Sequence, residues 1–184
     1  MKQTILIHGM PSKKGFYNPQ NSSPSNAQWL PWLQKQLALR DELSQTPEMP
    51  QAFDPIYKDW LEVFEQFELN EQTVLIGHSC GGGFLLRYLS EHHDLKVAKV
   101  FLIAPWLIDL EKELVTDVLF LDFPLDTSLA QRFPIHIFTS SDDDSAMQDS
   151  LKLLKEKLPE AIYHEYTDKE HFCTKEFPEL LELL

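Results

Sequence analysis

The stretch "TVLIGHSCGGGFLLRYLSEHH", residues 73–93, decides how the whole chain is read. A run of β-branched and aliphatic residues stops at Gly77, and an apolar pattern of helical period follows from about Gly81 to Glu91. Between them lies Gly77-His78-Ser79-Cys80-Gly81, a G-x-S-x-G pentapeptide. The chain has only six glycines in 184 residues, and four of them surround this one serine. Chance produces such a pentapeptide in roughly one chain in twenty of this length. A strand leading in and a helix leading out form the setting in which it marks a nucleophile elbow. A turn that tight projects the serine oxygen out of the fold and brings strand and helix close together. Flanking glycines remove the side chains that would collide there. The backbone N–H of Cys80 then lies at a helix N-terminus, where it can stabilise an oxyanion. The competing reading is an ordinary glycine-rich turn between strand and helix.

Working outward, "QTILIHG" (residues 3–9) reads as a buried strand, followed by a long loop rich in Pro, Ser and Asn. Long loops in compact domains are often functional. Asn26 is placed to cap a helix beginning near Ala27, with Trp29, Leu30, Trp32, Leu33, Leu37 and Leu43 on its apolar face. "TPEMPQAFDP" is loop or short edge strand, and a second helix is expected over about 55–69. Beyond the elbow, a strand is expected over 97–104 and further strands in "FPIHIFTSS" and "AIYHEYT". "SAMQDSLKLLKEKL" reads as an amphipathic helix and "FPELLELL" as a closing one. Residues 106–130, with Trp106, Leu107, Phe120 and Phe123, read as partly helical, and as either an apolar wall over a pocket or core. Strands alternate with helices throughout. That pattern predicts an α/β fold with a mostly parallel sheet covered by helices on both faces. With no internal repeat and no linker, residues 1–184 read as one domain.

The composition, 43% hydrophobic and 24% charged, is that of an ordinary soluble globular protein. A net charge of −13 and the lack of clustered Lys and Arg argue against a nucleic-acid partner. No apolar run reaches membrane-spanning length. The four apolar residues among those before His8 are too few for a signal-peptide core. Cys80 and Cys173 form neither a metal-ligand spacing nor a disulfide framework. A cytoplasmic location is the expectation, with no membrane partner.

A serine hydroxyl needs a base to take its proton, usually a histidine oriented by a carboxylate. Behind such an elbow the chain order is Ser, then Asp or Glu, then His. The strand "IHIFTSS" ends in Asp142-Asp143-Asp144, and "YTDKEHF" places His171 after the last strand. A second oxyanion donor is expected from the loop after the first strand, where the backbone N–H of Met10 is the candidate. His8 would shape that loop, and His78 would pack or bond locally. His92 and His93 sit at a helix end, and His136 and His164 within strands. The aspartate run is a weaker candidate for a cation, since no EF-hand spacing is present.

The chain also resembles the small α/β-hydrolases of the serine hydrolase family that includes retinoblastoma-binding protein nine. The likeness covers nearly the full length. It rests on "ILIHG", "VLIGHSCGG", "FTSSDDD" and "YTDKEHFCTKEFPELLELL". The resemblance implies an α/β-hydrolase-like three-layer sandwich with no large lid domain. It implies a triad in which Ser79 is the nucleophile, His171 the base and Asp143 the acid. The family pattern has two aspartates followed by proline. Here Asp144 stands in the proline's place, which keeps Asp142 as the alternative acid. Met147 replaces a second proline, and Lys169-Glu170 precede the histidine where a small residue is common. The expected activity is hydrolysis of small esters or related acyl substrates through an acyl-enzyme, with no cofactor and no metal. Two other readings remain open: an idle binding protein on a hydrolase scaffold, and a reactive thiol at Cys80.

Overall fold

The computed structural model describes residues 2–108, 116–117 and 120–184. Its apolar runs form six strands: β1 (Gln3–Ile7), β2 (Leu43–Gln45), β3 (Thr73–His78), β4 (Lys99–Ile103), β5 (Ile135–Ser140) and β6 (Ile162–Tyr166). They join one sheet in the order β2-β1-β3-β4-β5-β6, and every neighbouring pair is parallel. The central strands are buried on both faces, and all six residues of β3 and of β5 are buried.

The connections carry helices α1 (Lys13–Phe16), α2 (Leu30–Ala38), α3 (Tyr57–Phe64), α4 (Cys80–Glu91), α5 (Leu129–Arg132), α6 (Ser145–Lys157) and α7 (Pro178–Leu181). Side chains alternate across a strand, and the two faces of this sheet accordingly feed two apolar layers. Ile5, Ile7, Leu75, Val100, Leu102, Ile135 and Ile137 pack with Trp60 and Phe64 of α3, Phe84 of α4 and Leu154 of α6. Leu6, Val74, Ile76, Phe101, Ile103 and Phe138 pack with Trp29, with Leu33 and Leu37 of α2 and with Leu180 of α7. Each large side chain so buried contributes about 1.5–3 kcal/mol relative to exposure. Helix, sheet and helix thus form the three layers.

Several boundaries differ from expectation. The first long helix is not capped by Asn26, which closes a 3-10 turn (Pro24–Asn26) instead. It runs over Leu30–Ala38 with a proline in its first turn. The chain then reverses at Asp41, whose φ is 57°. Leu43 leaves the helix face, lies 46% exposed and pairs with β1 as the first residue of β2. The second helix occupies only Tyr57–Phe64 of the expected span. Within 106–130, Trp106, Leu107 and Phe120 are core residues, with Phe120 edge-on to Trp60 at 5.3 Å. Residues 109–115 and 118–119 of that segment lie outside the described residues. Among the described residues no large lid stands over the sheet, and no helix is long and apolar enough to cross a membrane.

The connection from β1 leads to β2 on one side, and the chain then returns to β3 on the other. Such a reversal leaves a crevice at the carboxyl ends of the two central strands. Gly81 makes it possible for α4 to start directly there. A Cβ on Gly81 would overlap the carbonyl oxygens of Ile7 and His8, and one on Gly77 would come within 2.6 Å of the Gly81 carbonyl oxygen. Backbone cannot yield as a side-chain tip does, so Gly81→Ala is expected to destabilise the fold by roughly 2 kcal/mol or more. That corresponds to a fall of about 4–8 °C in melting temperature followed by circular dichroism. An unchanged melting temperature would show that the close approach is not a constraint.

Candidate active site

Ser79 stands between β3 and α4 with φ 52° and ψ −120°. For a non-glycine residue this conformation costs about 1–3 kcal/mol. It is held from both sides: the Ser79 N–H donates to the Ile103 carbonyl at 2.8 Å, and the Ser79 carbonyl accepts from Gly82, Gly83 and Trp106. The residue is 8% exposed, and its side chain lines an open pocket of about 160 Å³ together with His8, Gly9, Met10, His78 and His171. None of the described residues of 106–130 lines this pocket.

The three consecutive aspartates have three different partners. Asp142 accepts from the Ser140 hydroxyl and, at 2.9 Å, from the Glu170 N–H. The hydroxyl bond holds its carboxyl below the usual carboxylate range. Asp143 receives His171 Nδ1 on both oxygens, at 3.1 and 2.9 Å. Asp144 caps α6, accepting from the Met147 N–H at 3.1 Å. The Asp143 side chain is 4% exposed and that of His171 30%. A carboxylate accepts only, so Nδ1 carries the proton and Nε2 is the nitrogen left for the pocket. Among the described residues no hydrogen bond joins His171 Nε2 to Ser79 Oγ. Such contacts commonly tighten only with substrate in place.

The loop after β1 is organised by His8. Its Nε2 accepts from the Met49 N–H at 3.0 Å, which puts the proton on Nδ1, and Nδ1 donates to the Gly9 carbonyl at 2.9 Å. Burial lowers the His8 pKa and keeps the ring neutral. In a trans peptide the N–H points away from the carbonyl, so anchoring the Gly9 oxygen turns the Met10 N–H away from His8. Among the described residues, neither the Met10 N–H nor the Cys80 N–H has a hydrogen-bond acceptor. Cys80 begins α4, where an unpaired N–H at the helix end attracts negative charge. Its side chain is buried in the core, and burial pushes the thiol pKa up, so the thiolate is disfavoured. The reactive-thiol reading of Cys80 loses its footing there.

Two contacts were not legible from the residues alone. His78 does not bond locally: its Nε2 meets the His171 carbonyl at 2.9 Å, across 93 positions of sequence. Cys173 lines the pocket and meets the Gln28 Nε2 at 3.1 Å. The sequence carries no signal for the first, and only the nearness of Cys173 to His171 for the second. Among the described residues, no group of three or more His, Cys, Asp and Glu converges as a metal ion would require.

The profile of the serine hydrolase family matches residues 15–172. The chain is 32% identical to the protein YdeN of Bacillus subtilis over 97 residues, 52% of this chain and 45% of YdeN. That alignment therefore spans under half of YdeN's length. It is 27% identical to the serine hydrolase RBBP9 of Rattus norvegicus over 139 residues, 74% of this chain and 73% of that one. The crystal structure of YdeN superposes with a TM-score of 0.79 at 23% identity, covering 100% of this chain and 96% of YdeN. The shared architecture is the α/β-hydrolase fold.

Two outcomes follow from the burial of these groups. Iodoacetamide should modify the exposed Cys173 slowly and leave Cys80 untouched until denaturant is added, as read by intact mass. Burial also holds His8, His78, His136 and His164 below the ordinary 6.5, His78 at about 3 and His136 at about 4. The unfolded chain therefore binds more protons once pH drops below 6.5. Stability should be full above that value and decline as pH falls toward 4. A lower urea midpoint at pH 5 than at pH 7 would bear this out; equal midpoints would contradict it.

Proposed function

The chain belongs to the serine hydrolase family, and from that premise we propose that it hydrolyses small carboxylic esters or related acyl substrates through an acyl-enzyme on Ser79. The observation that carries the reading is the buried Asp143 carboxylate on Nδ1 of His171, beside a serine held in a strained turn in the same pocket. In this mechanism Ser79 Oγ attacks the acyl carbon while its proton passes to His171 Nε2. Asp143 keeps the ring in the Nδ1–H tautomer and stabilises the imidazolium. The developing oxyanion takes the N–H groups of Met10 and Cys80, which have no other acceptor among the described residues. Collapse expels the alcohol, which takes the proton from His171. Water then attacks the acyl-enzyme, gives a proton to the same nitrogen, and the acid leaves as Ser79 recovers its own.

The modest pocket supports a small substrate. The reading calls for no cofactor and for no nucleic-acid or membrane partner. The two unpaired cysteines accord with a reducing compartment, and a cytoplasmic location is part of the proposal.

Ser79→Ala should abolish labelling by a fluorophosphonate probe and turnover of p-nitrophenyl acetate while leaving the melting temperature in place. Asp143→Asn should lower kcat by about 10⁴-fold through loss of the correct tautomer. Asp142→Asn retains an acceptor for the Glu170 N–H and should cost far less. Equal losses in the two asparagine variants would remove Asp143 from the acid's role. Undiminished labelling of Ser79→Ala would remove the serine, and a wild-type chain that turns over no ester would favour the binding-scaffold reading.

A further inference from the structure

We propose that His78 is a positioning residue for the base: its Nε2–H grips the His171 carbonyl and ties the loop that carries the imidazole to the elbow that carries Ser79. The proposal rests on the roles given above to Ser79 and His171. The bond is 2.9 Å long, and a carbonyl oxygen only accepts, so the His78 proton must sit on Nε2. The ring is buried at 3% exposure, with Trp29 edge-on at 6.0 Å and the His171 ring 5.0 Å away. Burial first, and then the neighbouring His171, bring its pKa down to about 3. The ring is therefore neutral at working pH, with one N–H to give.

That single N–H meets a loop that needs holding. Glu170 and Phe172, on either side of His171, have φ 47° and 54°. Each costs of order 1–3 kcal/mol, and such conformations persist only where the surroundings over-determine them. The Lys169 N–H donates to Ser140 Oγ at 3.0 Å and the Glu170 N–H to Asp142 at 2.9 Å, which anchors the leading side to β5. Phe172, 1% exposed, anchors the trailing side in the core. The His171 carbonyl, with Cys173 Sγ at 3.7 Å, is held at 2.9 Å by the nucleophile's own chain neighbour. His78 and Ser79 share a peptide whose N–H is pinned to Ile103. A shift of the His171 backbone relative to Ser79 therefore has to break or bend the His78 bond, while the Asp143 carboxylate holds the ring's rotation.

Two substitutions separate positioning from packing. His78→Gln offers an amide N–H in place of Nε2–H, whereas His78→Met fills similar volume with no donor. With p-nitrophenyl acetate, His78→Met should lose about 10²-fold in kcat, as a misplacement of about 1 Å does. KM should change little, and His78→Gln should recover most of the loss. Amide hydrogen exchange over residues 168–173 should speed up in His78→Met and stay near wild type in His78→Gln. Equal kcat and equal exchange in the two variants would overturn the proposal. The exchange comparison needs no activity, so it decides the role of His78 even if the wild-type chain turns over no ester. Should His78→Met fail to fold, nitrogen-15 spectra of the wild-type ring still decide: a proton on Nε2 supports the clamp, and one on Nδ1 ends it.

Discussion

The backbone of Ser79 sits at φ 52°, and most of the architecture around it exists to keep it there. A residue in that conformation relaxes unless its peptide groups are engaged on both sides. Here the N–H is bound by the end of β4, and the carbonyl by the first turn of α4 and by Trp106. The strand and helix meet so closely that a Cβ at Gly77 or Gly81 would strike backbone. The same approach that demands glycine also starts α4 at Cys80, the residue after the serine, whose N–H has no acceptor among the described residues. Strain, glycine placement and anion-stabilising potential are thus one constraint seen from three sides.

The sheet order then sets a distance problem. β5 and β6 are neighbours, so the loops after them meet easily, and Asp143 receives His171 Nδ1 at 2.9 Å. The serine, however, follows β3, three strand spacings from β6. At about 4.8 Å per spacing, the loop that carries His171 has to come back across roughly 14 Å of sheet to reach Ser79. The left-handed residues on both sides of His171 belong to a segment that makes this crossing over a short length of chain. Its anchors come from β5, through Ser140 and Asp142, from the core, through Phe172, and from the elbow, through His78.

What could be read from residue order was whatever repeats locally. The alternation of apolar runs and helical periods located five of the six strands, and the glycine-serine pentapeptide located the elbow. β2 escaped because "LSQ" has no apolar run; it is a strand only through pairing with β1. Periodicity alone carries Leu43 into the preceding helix, because it does not register the reversal at Asp41. The aspartates show a different limit. Asp142, Asp143 and Asp144 are chemically identical, and only their directions make one a loop anchor, one the partner of His171 and one a helix cap. The family likeness points to Asp143, and of the three it is Asp143 whose carboxylate meets His171 Nδ1.

Three histidines near one end of the sheet show how solvation assigns different work to the same side chain. His8 and His78 are almost wholly buried, and desolvation makes a charged ring costly at both positions. Each is therefore confined to its neutral form, and its single N–H is committed to a carbonyl, Gly9 for His8 and His171 for His78. His171 keeps nearly a third of its side chain in contact with solvent and has a carboxylate on Nδ1. Burial at positions 8 and 78 and partial exposure at 171 thus set two neutral, fixed rings beside a third that meets both solvent and a carboxylate, all within one pocket.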